Sequence, residues 1–362
     1  MVAKRKDAVV LVLAVFTTAS MALKILTVLA GAPVGGAETF FVSLSRALKR
    51  SGLAVRSLIK PNPARQAALK EENIVVDTAP FRARFDWVTK RTVRRVAAEF
   101  QPDAVLAFAG RAASLTPKGD YALIGRLGGY YNLNNFKHCD HLVCNAPDLV
   151  RYVTQGGWAK DRVHLIPNFP SLPDAAPLKR SAFGTPKDAP LAVALGRLHR
   201  AKALDMLIRA AALIPELYVW IAGEGPERAK LERLSRDLGT AARIKFLGWR
   251  TDRAALYACA DVCVYPSREE PFGNVVVEAW ASGTPIVATA STGPKWLVKD
   301  QEDGILTAID DPRALAEGIG AVLSSRTLAA ALVRAGRVRM ASEFSEAAIV
   351  RCYVELFERV RR

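Results

Sequence analysis

The sequence predicts an α/β protein built as two domains around parallel sheets. Three observations predict it. Short apolar strands alternate with helical segments along the chain, which is the pattern of a parallel sheet with crossover helices. The 362 residues exceed one typical domain, and 51% apolar residues are ample for large cores. Pro170, Pro173 and Pro177 make a linker near the middle and place a boundary there. No internal repeat of 20–50 residues is visible. The expected segments are therefore a leader or misassigned start at 1–20, a first domain at 21–170, a second at 171–343 and a last helix at 344–362.

In chain order, Lys4-Arg5-Lys6 and the apolar run Ala8 to Ala22 have the pattern of a signal-peptide n-region and h-region, too short for a confident membrane span. The expectation is that Met21 is the natural start or that the leader is a loose anchor. Lys24 to Ala30 is a buried strand. Gly31 to Glu38 is a glycine turn containing Gly35 and Gly36, and a helix runs on to Arg50. Strand, glycine turn and helix face a phosphate in many folds, although a plain turn reads the same way. Strands follow at Val55–Leu58, Ile74–Val76 and Ala104–Phe108, with a helix from about Phe85 to Phe100. That helix carries Lys90, Arg91, Arg94 and Arg95, with Trp87, Val88 and Val96 for apolar contact. It reads either as a solvated basic face or as a surface for anionic lipid or an anionic acceptor. Arg126, Gly128 and Gly129 fall in an irregular stretch before the strand Leu142–Asn145.

The second half opens with strand Leu191–Leu195, then Gly196-Arg197 and Lys202, two cations at a strand's C-terminal end. Strands Tyr218–Ala222 and Ile244–Gly248 follow, the first leading into Gly223-Glu224-Gly225-Pro226 and the second into Trp249. Val262–Tyr265 is a strand that Pro266 ends. Glu269 to Gly273 form a loop, Asn274 is placed to cap a helix to Ser282, and Gly283 stops it before the buried strand Ile286–Thr289. A helix start offers free N–H groups and a positive dipole end, and Gly273 lets a phosphate come close. Glu270 and Glu278 suggest sugar hydroxyls, which donate to ionised acids. A phosphate flanked by hydroxyl-rich groups is a nucleotide-sugar. Helices at about 312–323, 327–342 and 346–359 finish the chain.

The formal net charge is +16, and residues 1–170 hold 24 Lys+Arg against 12 Asp+Glu. A basic first half fits an anionic acceptor or membrane surface. No aromatic-basic motif supports nucleic acid as the partner. Five cysteines without zinc-like spacing suggest a reducing compartment, with Cys259 and Cys263 as small core residues. No Asp-x-Asp occurs, so a metal-held diphosphate is not expected and no cofactor is assigned.

The string from Glu270-Pro271-Phe272-Gly273 through Glu278 resembles the E-x7-E signature of family 4 glycosyltransferases. Gly35-Gly36-x-Glu38, the Arg197…Lys202 pair, Gly223-x-Gly225-Pro226 and the hinge-like Pro167-Asn168-Phe169 are similar to further motifs of that family. The resemblance implies the GT-B fold, with two Rossmann-like domains facing a cleft and a last helix crossing back. It implies transfer of a sugar from a UDP-, GDP- or ADP-sugar to an acceptor hydroxyl, with retention. Arg197 and Lys202 would neutralise the departing diphosphate, Glu278 would hold the ribose and Glu270 the hexose. Gly273 and Asn274, with the adjoining Phe272 backbone, would meet the diphosphate, Gly35 and Gly36 would close over it, and Gly248 with Trp249 would receive the base. Trp249 also reads as simple packing.

Many members of that family place a histidine near the donor sugar where this chain has Arg126, Gly128 and Gly129. Arg126 is the candidate contact for an anionic acceptor. The stretch looks like bacterial envelope-glycan transferases, which implies lipopolysaccharide core or another anionic glycolipid as acceptor. The expected location is cytoplasmic, possible peripheral contact with the inner membrane face being part of that expectation. The alternatives are capsule or exopolysaccharide assembly, a non-catalytic nucleotide-sugar-binding homologue and, behind these, a GT-B epimerase.

Overall fold

The structure is a computed structural model that describes residues 22–33, 35–82 and 86–362. The leader, the Met21 start and the proposed helix start at Phe85 lie outside the described residues.

Seven strands make the first sheet: β1 Lys24–Leu29, β2 Ala54–Ile59, β3 Val75–Thr78, β4 Ala104–Phe108, β5 Ala122–Leu127, β6 His141–Cys144 and β7 Val163–Leu165. Their order is β3-β2-β1-β4-β5-β6-β7, every pair parallel. Six more make the second sheet: β8 Leu191–Leu195, β9 Tyr218–Ala222, β10 Ile244–Gly248, β11 Val262–Tyr265, β12 Ile286–Thr289 and β13 Ile305–Thr307. They lie in the order β10-β9-β8-β11-β12-β13, again all parallel. The central strands are continuous apolar runs because helices cover both faces. All of β4, β8, β11 and β12 is buried. Each sheet reverses its order at the central strand, so a crevice opens at the strands' C-terminal ends.

β5 is absent from the sequence reading, yet it is buried from end to end. Gly125 and Arg126 interrupt its apolar run. Gly125 is there for space: a Cβ would stand 2.6 Å from Phe136 and 2.8 Å from Leu142. The helices Pro63–Lys70, Ala109–Leu115 and Pro147–Gln155 also lie outside that reading. The basic helix begins at Trp87, with the Asp86 carboxylate accepting from Thr89 N–H. Trp87 does not pack as expected; it is 68% exposed.

The last helix, Glu346–Val360, returns to the first sheet. It buries Ile349, Tyr353 and Phe357 in one core with Phe41, Ile124 and Phe169. Arg50–Glu346 at 2.7 Å and Arg362–Asp140 at 3.0 Å pin its two ends. The helix before it, Arg326–Glu343, stays with the second sheet, where Gly336 lies flat against Trp280.

Candidate active site between the two sheets

A cleft separates the two sheets at the C-terminal ends of β1 and β8. Gly35, Gly36 and Phe40 line one wall; Gly196, Arg253 and Glu278 line the other.

The helix Asn274–Ser282 enters this cleft N-terminus first. Its N-cap is Gly273 at φ 104°, a left-handed conformation that glycine adopts without strain. The sequence expectation that Asn274 caps the helix is corrected here. Asn274 is the first helical residue, and its Oδ1 accepts from Asn168 Nδ2 at 2.7 Å. Because no side chain caps this end, the Asn274 and Val275 N–H groups have no acceptor among the described residues. Unpaired N–H groups and the dipole favour an anion there. Gly36 faces this end from the other wall, where a Cβ would come 3.4 Å from Asn274 Nδ2. Gly35 precedes the first helix, and its Cβ would collide with Glu38, which accepts from Ala32 N–H at 2.8 Å. Phe272 is buried with its ring 6.0 Å from Trp296, so only backbone reaches the loop at that position.

Glu278 lies one turn into the helix and is buried. Its carboxylate accepts from Arg253 Nη1 and, at 3.0 Å, from Tyr257 Oη. Burial pushes its pKa upward, while the Arg253 guanidinium and the Tyr257 hydroxyl pull it back. Arg253 and Tyr257 sit four apart on the helix Arg253–Cys259, so they share a face.

Lys202 and Glu270 form an ion pair, and the Tyr265 hydroxyl donates to the same Glu270 oxygen. Lys202 Nζ also lies 3.1 Å from Tyr265 Oη. Its methylenes run beside Gly196, where a Cβ would be 3.8 Å away. Arg197 is exposed and makes no side-chain hydrogen bond or ion pair among the described residues. Its loop is braced from below: Leu198 N–H donates to Glu224 O at 2.9 Å, and a Cβ on Gly223 would stand 1.9 Å from Gly196 O. The Gly223-x-Gly225-Pro226 turn therefore shapes the cation loop without facing the cleft.

Gly248 ends β10 at φ 69°, where the ladder register shifts. Trp249, which follows, is 53% exposed and lines the cleft, so it is not core packing.

Arg126 is not an acceptor contact in this structure. It is 2% exposed and lies 4.3 Å over the Phe40 ring. Its Nε donates to Tyr353 Oη at 3.0 Å and its Nη2 to Asn168 Oδ1. Asn168 in turn reaches Asn274. A chain of hydrogen bonds thus joins the last helix, β5, the segment between the sheets and the open helix end. His138 and His141 are likewise structural. His138 Nε2 lies 2.9 Å from Ala113 O and from Thr116 O, and His141 meets His164.

The sequence does not single out Arg253, Tyr257 or Tyr265, and it marks Asn168 only as part of a hinge, without its bond to Asn274. The four-residue spacing of Arg253 and Tyr257 was legible; that they meet Glu278 depends on how two helices pack. Four cysteines are buried and Cys352 is exposed, all unpaired. Among the described residues there is no group of three or more metal-ligating side chains, and no single helix is long and apolar enough to cross a membrane.

Two Rossmann-like domains joined by a returning helix, with an anion-ready helix end in the cleft, define the GT-B class of glycosyltransferases. Residues 34–170 match Glycosyltransferase Family 4, and residues 176–339 match Glycosyl transferases group 1. The chain is 34% identical over 326 residues to the lipopolysaccharide core biosynthesis glycosyltransferase LpsE of Rhizobium meliloti, covering 89% of this chain and 95% of that protein. It is 35% identical over 331 residues to LpsD of the same organism, a protein of the same description, covering 90% and 95%. The structure of Anabaena HepE in complex with UDP and glucose aligns with a TM-score of 0.80 at 21% identity, over 93% of this chain and 99% of that one. The chain belongs to the group 1/family 4 glycosyltransferases and is an enzyme of that family.

Proposed function

We propose that the enzyme moves a hexose from a nucleotide-sugar to a hydroxyl of lipopolysaccharide core, with retention of configuration, at the cytoplasmic side of the membrane. One observation carries the donor half. The unpaired N–H groups of Asn274 and Val275, the unpartnered Arg197 and the Lys202–Glu270 pair all belong to the C-terminal edge of one sheet, opposite Gly36. The likeness to LpsE and LpsD over about nine-tenths of the chain supports the acceptor half.

In this reading a diphosphate takes the helix end, and Arg197 and Lys202 neutralise the charge that grows on it as the sugar leaves. Lys202 exchanges Glu270 for phosphate, which frees the Glu270 carboxylate for a sugar hydroxyl. Glu278, already fixed by Arg253 and Tyr257, receives the ribose hydroxyls, a positioning role. Trp249 borders the nucleobase, and closure of Gly35–Gly36 onto the helix end excludes water. No cofactor enters the scheme. UDP-sugar donors are favoured by the UDP bound in HepE. Trp87, exposed beside Lys90, Arg91 and Arg94, supports peripheral contact with an anionic membrane face.

The test is a thermal-shift panel of UDP-, GDP- and ADP-sugars, followed by mass spectrometry of lipopolysaccharide core incubated with the binding donor. A core that gains one hexose mass supports the reading. Binding of none of the donors, or donor loss without a heavier core, sinks it.

A further inference from the structure

A second cavity of about 800 Å³ lies wholly within the first domain, at the C-terminal ends of the strands. That size is ordinary for a small-molecule site. A septum, the stretch 31–33 after β1, stands between it and the cleft between the sheets. Ala32 and Pro33 line the cavity, whereas Gly35 and Gly36 line the cleft. Three hydrogen bonds hold the septum at Ala32 and Pro33. Arg65 Nη2 donates to Ala32 O at 2.9 Å, Asn62 Nδ2 donates to Pro33 O at 3.2 Å, and Glu38 accepts from Ala32 N–H at 2.8 Å. Burial of Arg65 lowers its pKa, the cost of placing a cation there, and that burial keeps the turn in place.

The charges around this cavity are one-sided. Lys60 follows β2, Arg82 lies beyond β3 and Arg111 lies just past β4, so three separate crossovers each bring a cation to its rim. All three are exposed and none forms an ion pair among the described residues; Asp86, the acid near Arg82, is already bonded to Thr89. Other arginines of this domain are paired, Arg46 and Arg50 with Glu72 and Arg56 with Asp77 and Glu99, although Arg91 and Arg94 on the basic helix form no ion pair among the described residues either. The one acid lining the cavity, Glu38, is already engaged by the septum. Phe108 and Leu115 give it an apolar wall, and Ala109 beside them is held at φ 63°, a conformation that costs a non-glycine residue energy and often marks a ligand site.

We infer that this cavity seats an acidic group, phosphate or carboxylate, carried by the acceptor saccharide, with Lys60, Arg82 and Arg111 as the residues that select it. Arginine forks onto either oxyanion, and lysine adds a point charge. The apolar wall takes a sugar face, and the septum brings the acceptor hydroxyl beside the cleft where the donor sugar lies. This inference rests on the transferase reading for the word acceptor, but the anion site stands on its own geometry.

The experiment is a ligand-observed NMR titration of the full chain, saturated with UDP so that the cleft is filled, using glucose 6-phosphate, glucuronate and glucose. The expected result is that at least one acidic sugar binds about tenfold more tightly than glucose. A preference for glucose 6-phosphate assigns phosphate; a preference for glucuronate assigns carboxylate. The triple variant Lys60→Gln, Arg82→Gln, Arg111→Gln is expected to bind all three alike while its UDP thermal shift stays unchanged. Equal binding of acidic and neutral sugars by the wild type, or a preference that survives in the variant, overturns the inference. The single variants replace the triple one if it fails to fold. Failure of UDP to bind, with the acidic-sugar preference intact, counts against the transferase reading alone.

Discussion

Asn168 donates its side-chain amide to Asn274 across 2.7 Å, and so the segment between the two sheets touches the first residue of the helix that opens into the cleft. The same Asn168 accepts from Arg126, which is braced by Tyr353 of the last helix. Domain geometry and the anion-facing helix end are therefore parts of one hydrogen-bonded unit.

Asn168→Ala removes the side-chain hydrogen bond that Asn274 accepts. It is expected to raise KM for the donor, because the pair is part-buried and water is a poor substitute for its geometry, and to cost less stability than losing Arg126, since one Arg126 N–H loses its acceptor while the guanidinium keeps Tyr353. Steady-state kinetics at saturating acceptor read this directly; an unchanged KM would separate the hinge from the donor site.

Arg126→Met is expected to behave differently. It strips partners from Asn168 Oδ1 and Tyr353 Oη in a buried setting and ends the stacking over Phe40. Each orphaned polar group costs about 1–3 kcal/mol, so the urea midpoint should fall clearly. A variant as stable as wild type would mean water reaches this site.

Arg197→Ala should leave stability within about 0.5 kcal/mol, since the side chain is exposed and unpartnered. Transfer should fall roughly 100- to 1000-fold if the guanidinium meets the departing diphosphate. Glu278→Ala should weaken nucleotide affinity instead, and it strands Arg253 and Tyr257 without their carboxylate. Isothermal titration with UDP distinguishes the two variants. Equal behaviour would refute the division of labour between them.

Acid should destabilise the first domain through His164. Burial, then His141 and Arg359, hold its pKa down to about 4 from the usual 6.5, and burial lowers His141 as well. Arg162, Asp140 and Asp161 also face the pair, the acids opposing the shift. A histidine whose folded pKa is depressed contributes stability that is present above pH 6.5 and lost as pH falls toward 4. Because His164 is only partly buried, the loss is on the order of 1 kcal/mol after solvent screening. Thermal melts of wild type and His164→Gln across that window should diverge by this amount; parallel curves would remove His164 as the cause.

The second sheet was almost wholly legible because its central strands are unbroken apolar runs that stop at Gly or Pro, as in Leu191–Leu195 before Gly196, Tyr218–Ala222 before Gly223 and Val262–Tyr265 before Pro266. β5 was hidden because a buried arginine looks like a surface residue until Tyr353, 227 positions later, is brought beside it. The helix Pro63–Lys70 carries a legible start, Asn62 as cap and Pro63 in the first turn, but it is short and weakly apolar. At the site, the residue types and their spacing pointed to the cleft, but the partners did not. That Asn274 turns toward Asn168 instead of capping, and that Lys202 rests on Glu270, follow from how separate elements meet in space.

The returning helix also orders events at the ribosome. Ile349, Tyr353, Leu356 and Phe357 complete a core whose members on the first sheet and its helices, from Leu23 to Phe169, are made long before them. The first domain must therefore wait, with an apolar groove uncovered, until Ile349 to Phe357 leave the exit tunnel. During that interval the nascent chain is most open to aggregation and to chaperone capture. A stop codon shortly before Ile349 would lengthen that wait without end, so loss of the tail should cost solubility long before it is noticed as loss of transfer.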